Sequence, residues 1–196
     1  AERLGLRWHT DIDRIQASPA KARTWGSFTL GVADTTPLEM AGAYATIAAD
    51  GRYCAPLPVI SGTAADGSVV SPQPTCEQAI SADVARGGLD AARCVTGYQA
   101  AAGSCAGGGT APGVYGIVGR PVAGKTGTTD DNRAIWFIGM TPGLTAAGFI
   151  ADPDNPFHTV APADRTKPRD SVAYVLRDAL AGAPVLGFNA PPPHIV

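Results

Sequence analysis

Three apolar stretches between positions 122 and 150 are joined by connectors too short to hold a helix. No other feature of the chain constrains its fold as strongly. The stretches are Val122 to Thr129, Ala134 to Met140 and Leu144 to Ile150. The middle one, with Trp136, Phe137 and Ile138, is apolar throughout rather than alternating, which is the pattern of a strand covered on both faces. Asp130-Asp131-Asn132-Arg133 joins the first two stretches and Thr141-Pro142-Gly143 the last two. Both connectors are turn chemistry, and Pro followed by Gly favours a tight hairpin. A parallel pair would need a crossover of a dozen or more residues. The chain is therefore read as an α/β protein of the α+β type: an antiparallel sheet covered by helices.

The clearest helix is expected from Pro37 to about Ala49. Thr36 caps it, Pro37 takes the first helical position, and Glu39 is expected to reach back as the second half of a capping box. Leu38, Ala41, Tyr44, Ala45 and Ala48 share one face, and Asp50-Gly51 stops the helix. A second helix is expected from near Ser81 past Val84 and Leu89, weakened by Gly87-Gly88. A third is expected from about Arg169 to Ala181, with Val172, Val175, Leu176, Ala179 and Leu180 at helical spacing. Ala1-Glu2-Arg3-Leu4-Gly5-Leu6 reads as a last helical turn closed by glycine, so the sequence is expected to start inside a domain. The 24 glycines and 17 prolines concentrate around 102–124 and 184–193. Those stretches read as loop and tail, the Pro191-Pro192-Pro193 end extended and mobile. There is no internal repeat.

A length of 196 residues suits one domain or a large part of one. The formal charge of -2, with no long run of either sign, lacks the footprint of a nucleic-acid binder. No apolar run approaches the roughly 20 residues of a membrane-spanning helix, and no basic amphipathic segment or signal peptide is evident. Any exporting segment is expected outside these residues. The four cysteines, Cys54, Cys76, Cys94 and Cys105, allow three pairings. With no C-x-x-C and no nearby histidine, no zinc site is expected, nor any other metal or cofactor. Their loop-rich surroundings favour disulfides over four buried free thiols, and hence an oxidising, extracytoplasmic setting. Sequential pairing, 54 with 76 and 94 with 105, would staple two loops at about 3 kcal/mol each.

Gly119-Arg120-Pro121-Val122-Ala123-Gly124-Lys125-Thr126 satisfies G-x-x-x-x-G-K-[ST], the P-loop string. A P-loop needs a helix directly after its lysine, because a helix N-terminus supplies part of the phosphate cradle. Here Gly127 to Asn132 follow, all poor helix formers, and then the next strand. Leu144 to Asp152 imitates an apolar strand ending in a metal-binding aspartate, but that pattern is common. A nucleotide site is disfavoured.

On a strand, the same lysine offers different chemistry. Thr126 and Thr128 point to one side, and with the Lys125 ammonium they can hold a carboxylate. Gly127 leaves room for close approach, and the N–H after it can stabilise an oxyanion. K-T-G is also one of the signatures of class A β-lactamases and penicillin-binding proteins.

The surroundings sharpen that match. Residues 119–142, through Lys125-Thr126-Gly127-Thr128-Thr129, Asp131-Asn132-Arg133, Ala134 to Gly139 and Thr141-Pro142, closely resemble the same region of class A (bifunctional) penicillin-binding proteins. Leu30-Gly31, Thr36-Pro37-Leu38-Glu39-Met40-Ala41, Ala43-Tyr44-Ala45-Thr46 and Asp50-Gly51 resemble the helix that follows that family's second motif. The resemblance covers residues 1 to about 183 and is loose over 54–118. It implies a β-lactamase/transpeptidase-like fold, of which this is the C-terminal portion, with a Pro-rich tail over 184–196. It also implies peptidoglycan D,D-transpeptidation. A serine attacks a D-Ala-D-Ala stem peptide, D-Ala leaves, and the acyl group passes to an amine; β-lactams acylate the same serine. In that setting Lys125 supplies the cation. Thr126, Thr128 and Thr129 belong to the substrate edge, Gly127 gives clearance, and the Thr128 N–H completes the oxyanion hole.

The family needs two further motifs, S-x-x-K and S-x-N. S-x-N is absent, and the one literal S-x-x-K is Ser18-Pro19-Ala20-Lys21. It lies after the point where both motifs belong, and Trp25-Gly26 would end any helix there, so Ser18 reads as loop. The serine-bearing N-terminal part of the transpeptidase is therefore expected on a separate chain. The rivals are a non-catalytic peptidoglycan- or β-lactam-binding module, a D,D-carboxypeptidase and a β-lactamase. The remaining candidates read as structural. His9, His158 and His194 are surface residues, Asp130-Asp131 is a solvated turn, Asp152 to Pro156 is a loop rather than a calcium site, and Trp136 and Phe137 are core.

Overall fold

The computed structural model describes residues 1–101, 103, 105 and 108–195. Positions 102, 104, 106 and 107 of the expected glycine-rich loop, and Val196 of the tail, lie outside the described residues. In chain order the helices are α1 (Asp11–Gln16), α2 (Pro37–Ala48), α3 (Ala82–Val95), α4 (Val114–Val118) and α5 (Lys167–Ala179). The strands are β1 (Arg52–Cys54), β2 (Gly62–Thr63), β3 (Val69–Val70), β4 (Cys76–Gln78), β5 (Ala123–Thr128), β6 (Ala134–Met140) and β7 (Thr145–Ala151).

The central sheet is the expected meander, β5-β6-β7, antiparallel throughout. The apolar content of β6 is explained by its two coats. On one face Phe137 packs with Val114, Val118, Val122, Val172, Ala173 and Leu176, from α4, α5 and the lead-in to β5. On the other, Met140 and Ala123 meet Leu89 of α3, with Tyr44 and Ile47 of α2 beside them. Gly139 lets α5 approach: a Cβ there would lie 2.8 Å from Leu176 Cδ1 and 2.9 Å from Val172 Cγ1. Antiparallel pairing sets Lys125 opposite Ile138 and Thr126 opposite Phe137. Alternation therefore turns Lys125 towards the α2/α3 layer and Thr126 towards the α4/α5 layer.

Several expectations change in detail. Glu39 does not reach back to its own helix. Thr36 Oγ1 accepts from the Glu39 N–H as a cap should, but the Glu39 carboxylate binds His9 Nε2 at 2.7 Å. The helix expected from Ser81 runs unbroken through Gly87-Gly88 to Val95, capped by Ser81. The expected third helix starts two residues early, at Lys167, and ends at Ala179. Gly5 takes the left-handed conformation foreseen for it, closing a 3-10 turn over Glu2–Leu4.

Between α2 and α3, β1 pairs with β4 and β2 with β3, two short ladders that the sequence did not announce. Cys54 and Cys76 face each other in the first ladder and are bonded, and Cys94 is bonded to Cys105. The sequential pairing is the one present.

The tail makes contacts that its composition does not announce. Phe188 packs on the α2/α3 side of the core, Asn189 Nδ2 donates to Asp50 Oδ2 at 2.7 Å, and Ile195 lies over Gly87. The two glycines that weaken α3 locally thus leave one place for the tail to sit.

Candidate active site

Strand β5 lies at one edge of its sheet, with β6 as its partner. Thr129 N–H donates to the Ala134 carbonyl, so position 129 is turned towards β6. The alternation of an antiparallel ladder then turns the backbone groups of Lys125 and Gly127 inward as well. Those of Thr126 and Thr128 point to the open edge. The Lys125 side chain starts on the α2/α3 face, beside a cavity of about 380 Å³ lined also by Tyr44, Ile47, Gly88, Ala92 and Met140. Burial there pushes the Tyr44 hydroxyl above its ordinary pKa. Lys125 Nζ nevertheless bends to the open edge and donates to the Thr126 carbonyl at 2.6 Å. An ammonium and the outward N–H of Thr128 therefore share one edge, while the Thr126 and Thr128 side chains leave the opposite face together. Such an edge can accept an anion along its length.

Gly127 stands opposite Trp136, and a Cβ there would lie 3.2 Å from Trp136 Cβ. The clearance it provides is modest. Thr129 is turned to structural use: its Oγ1 accepts from Ala134 N–H at 2.8 Å, closing the β5–β6 turn. That turn carries two successive left-handed residues, Asp131 and Asn132. Asp131 pairs with Arg133 at 2.8 Å, and the Arg133 guanidinium lies over the Phe157 ring.

Thr110 joins this edge without any signal in the sequence. Its Oγ1 is 2.8 Å from Thr126 Oγ1, and no local pattern announces a contact across 16 residues.

The P-loop geometry is not formed. Gly119 ends α4 in a left-handed conformation, and Lys125 sits inside a strand that continues to Thr128. Ser18 lies in a turn after α1, its hydroxyl donating to the Ile15 carbonyl at 2.6 Å. Phe137 is core, but Trp136 is only half-buried and stacks on exposed Phe149 at 4.7 Å. His158 binds Asp152, whose other oxygen accepts from the N–H groups of Asp154 and Asn155. His158 beside it holds the Asp152 carboxyl below its ordinary range. His194 faces Asp83 at 3.4 Å.

Residues 1–158 match the penicillin binding protein transpeptidase domain family. Penicillin-binding protein 1A of Neisseria cinerea is 28% identical over 159 residues, covering 72% of this chain and 17% of that protein. The PonA1 protein from Mycobacterium tuberculosis, solved in complex with penicillin V, is 28% identical with a TM-score of 0.70, over 85% of this chain and 44% of that one. Penicillin-Binding Protein 1A from Haemophilus influenzae shares the fold with a TM-score of 0.73 at 20% identity, over 97% of this chain and 31% of that one.

Proposed function

This chain belongs to the penicillin-binding protein transpeptidase family, and on that premise we propose that its β5 edge is the substrate-carboxylate and oxyanion side of a serine D,D-transpeptidase. The observation that carries the reading is the convergence on one open edge of the Lys125 ammonium and the outward Thr128 N–H.

In this reading a D-Ala-D-Ala stem peptide lies antiparallel to β5. Its terminal carboxylate is held by the Thr126 and Thr128 hydroxyls with Lys125 nearby, in charge-assisted bonds stronger than neutral ones. The scissile carbonyl oxygen is directed at the Thr128 N–H. As the serine oxygen adds to the carbonyl carbon, charge gathers on that oxygen, and a fixed N–H there favours the tetrahedral state over the planar one. The carbon–nitrogen bond to the terminal D-Ala then breaks, and the leaving amine takes up the proton that the serine hydroxyl gave up. The acyl group passes from serine to an amine of a second stem peptide, or to water in the D,D-carboxypeptidase variant. A β-lactam enters by the same route, its own carboxylate in place of the D-Ala carboxylate.

The serine is proposed to come from the N-terminal part of the same transpeptidase, because residues 1–196 contain no S-x-N and no other S-x-x-K than Ser18-Pro19-Ala20-Lys21. The chain spans 17% of the length of its Neisseria relative. The two disulfides support an oxidising location on the outer face of the bacterial membrane, in a protein anchored there. Among the described residues no helix is long and apolar enough to cross a membrane.

Incubation of the assembled transpeptidase with fluorescent penicillin tests the reading. A covalent adduct that survives denaturation is expected. Reversible binding without an adduct would replace it with the non-catalytic binding module.

A further inference from the structure

The segment around Thr110 is held in place more firmly than a loop of this composition requires. Gly109 passes so close to the last turn of α3 that a Cβ there would lie 2.3 Å from the carbonyl oxygens of both Cys94 and Val95. Ala111, fully buried, donates its N–H to the Val95 carbonyl at 2.9 Å. Tyr115 N–H binds the Thr96 carbonyl at 3.1 Å. The buried Thr96 hydroxyl binds the Val122 carbonyl at 2.8 Å, just ahead of β5. The Cys94–Cys105 bridge closes the loop onto the same turn of α3. The buried Asp90–Arg93 pair holds its start, Asp90 accepting from Ala101 N–H at 2.7 Å and Arg93 lying over the Tyr98 ring. Thr110 itself is exposed. A scaffold of backbone bonds, a disulfide and a buried ion pair thus presents one exposed hydroxyl, 2.8 Å from Thr126 Oγ1.

A hydroxyl has one proton to give and two lone pairs to accept with. If Thr126 donates to Thr110, its only proton is spent and it cannot bind a carboxylate. If Thr110 donates to Thr126, the Thr126 proton is free and is polarised by the bond it accepts. An anion arriving at the open edge selects the second arrangement, because only that one ends in a donor facing it.

We propose that Thr110 is a positioning residue of the carboxylate edge: it donates to Thr126 Oγ1, fixes that rotor, and turns the Thr126 proton towards the substrate carboxylate. The inference rests on the reading of β5 given under Proposed function and adds a residue to it. Thr110 does not touch the substrate; it acts through Thr126.

The test compares acylation of the full-length transpeptidase by benzylpenicillin and by its methyl ester, which lacks the anion. The variants are Thr110→Val, which keeps the shape and loses the hydroxyl, Thr110→Ser, which restores it, and Thr110→Ala, which repeats the loss if Val disturbs the loop. Loss of one such bond is expected to lower the rate constant for the free acid about five- to tenfold while moving that for the ester less than about twofold. Ser should return the free-acid rate to within about twofold of the unmutated protein. Equal losses on acid and ester, no loss with either Val or Ala, or failure of a folded Ser variant to recover, would each overturn the role of Thr110. No acylation of the unmutated protein would overturn the reading of β5 and this inference with it. The two failures are therefore distinguishable.

Discussion

Lys125 and Thr126 leave β5 on opposite faces, yet Lys125 Nζ comes back to within 2.6 Å of the Thr126 carbonyl at the strand's open edge. A four-carbon stem makes that return possible. The ammonium is thereby placed beside backbone groups that its own position in the ladder would have kept it from. Cation, outward N–H and hydroxyls all come from the four residues Lys125 to Thr128, because an edge strand offers three directions at once: two faces and one free rim.

The packing that supports this rim predicts a sensitive glycine. Gly139 faces Val172 and Leu176 with no room for a methyl group. Gly139→Ala should cost about 1–3 kcal/mol through overpacking. Thermal unfolding should then start roughly 2–12 °C lower, without loss of the antiparallel signature in circular dichroism.

The two disulfides should differ in what they protect. Each closes a loop, of 22 residues for Cys54–Cys76 and 11 for Cys94–Cys105, and each should contribute about 3 kcal/mol by restricting the unfolded chain. Paired Cys→Ser replacement at 54 and 76 should lower the melting temperature and leave penicillin acylation per folded molecule unchanged. The same replacement at 94 and 105 should lower both, because the second bridge fixes Cys105, five residues before Thr110, to α3.

Asp50 ties three elements together. Arg86 of α3 meets it with two nitrogens, at 3.0 and 2.8 Å, and Asn189 of the tail donates to it as well. These partners, Arg86 first, hold its carboxyl below the ordinary 3.8. A lowered pKa means stability that is present above 3.8 and lost as the pH falls through the folded-state value. Asp50 has a left-handed backbone, which asparagine also tolerates. Asp50→Asn should therefore isolate the charge, lowering the melting temperature by about 1–3 °C at pH 7. That difference should narrow as the pH drops below 3.8.

Much of this was legible beforehand, for reasons particular to each element. The β5-β6-β7 meander could be read because its connectors leave no room for anything else. Helix α2 could be read because Thr36 and Pro37 mark its start locally. What could not be read depends on distant partners. Glu39 has a local capping role available and takes His9 instead. The Pro-rich end looks free in sequence and is held by Phe188 and Asn189 against residues some 50 to 140 positions away. Helix α4 and strands β1 to β4 are too short to show a period. Thr110 carries no signal of its own, since only the fold of the segment around it brings it to Thr126.

The role of Lys125 is tested most directly by fluorescent-penicillin labelling of the full-length transpeptidase. Lys125→Ala is compared with Lys167→Ala, whose lysine lies on α5 paired with Asp164. Loss of the Lys125 charge should slow labelling by about 10²-fold or more, with the melting temperature unchanged, while the Lys167 variant labels like the unmutated protein. Labelling of a folded Lys125→Ala variant at the unmutated rate would contradict a role for Lys125 in acylation.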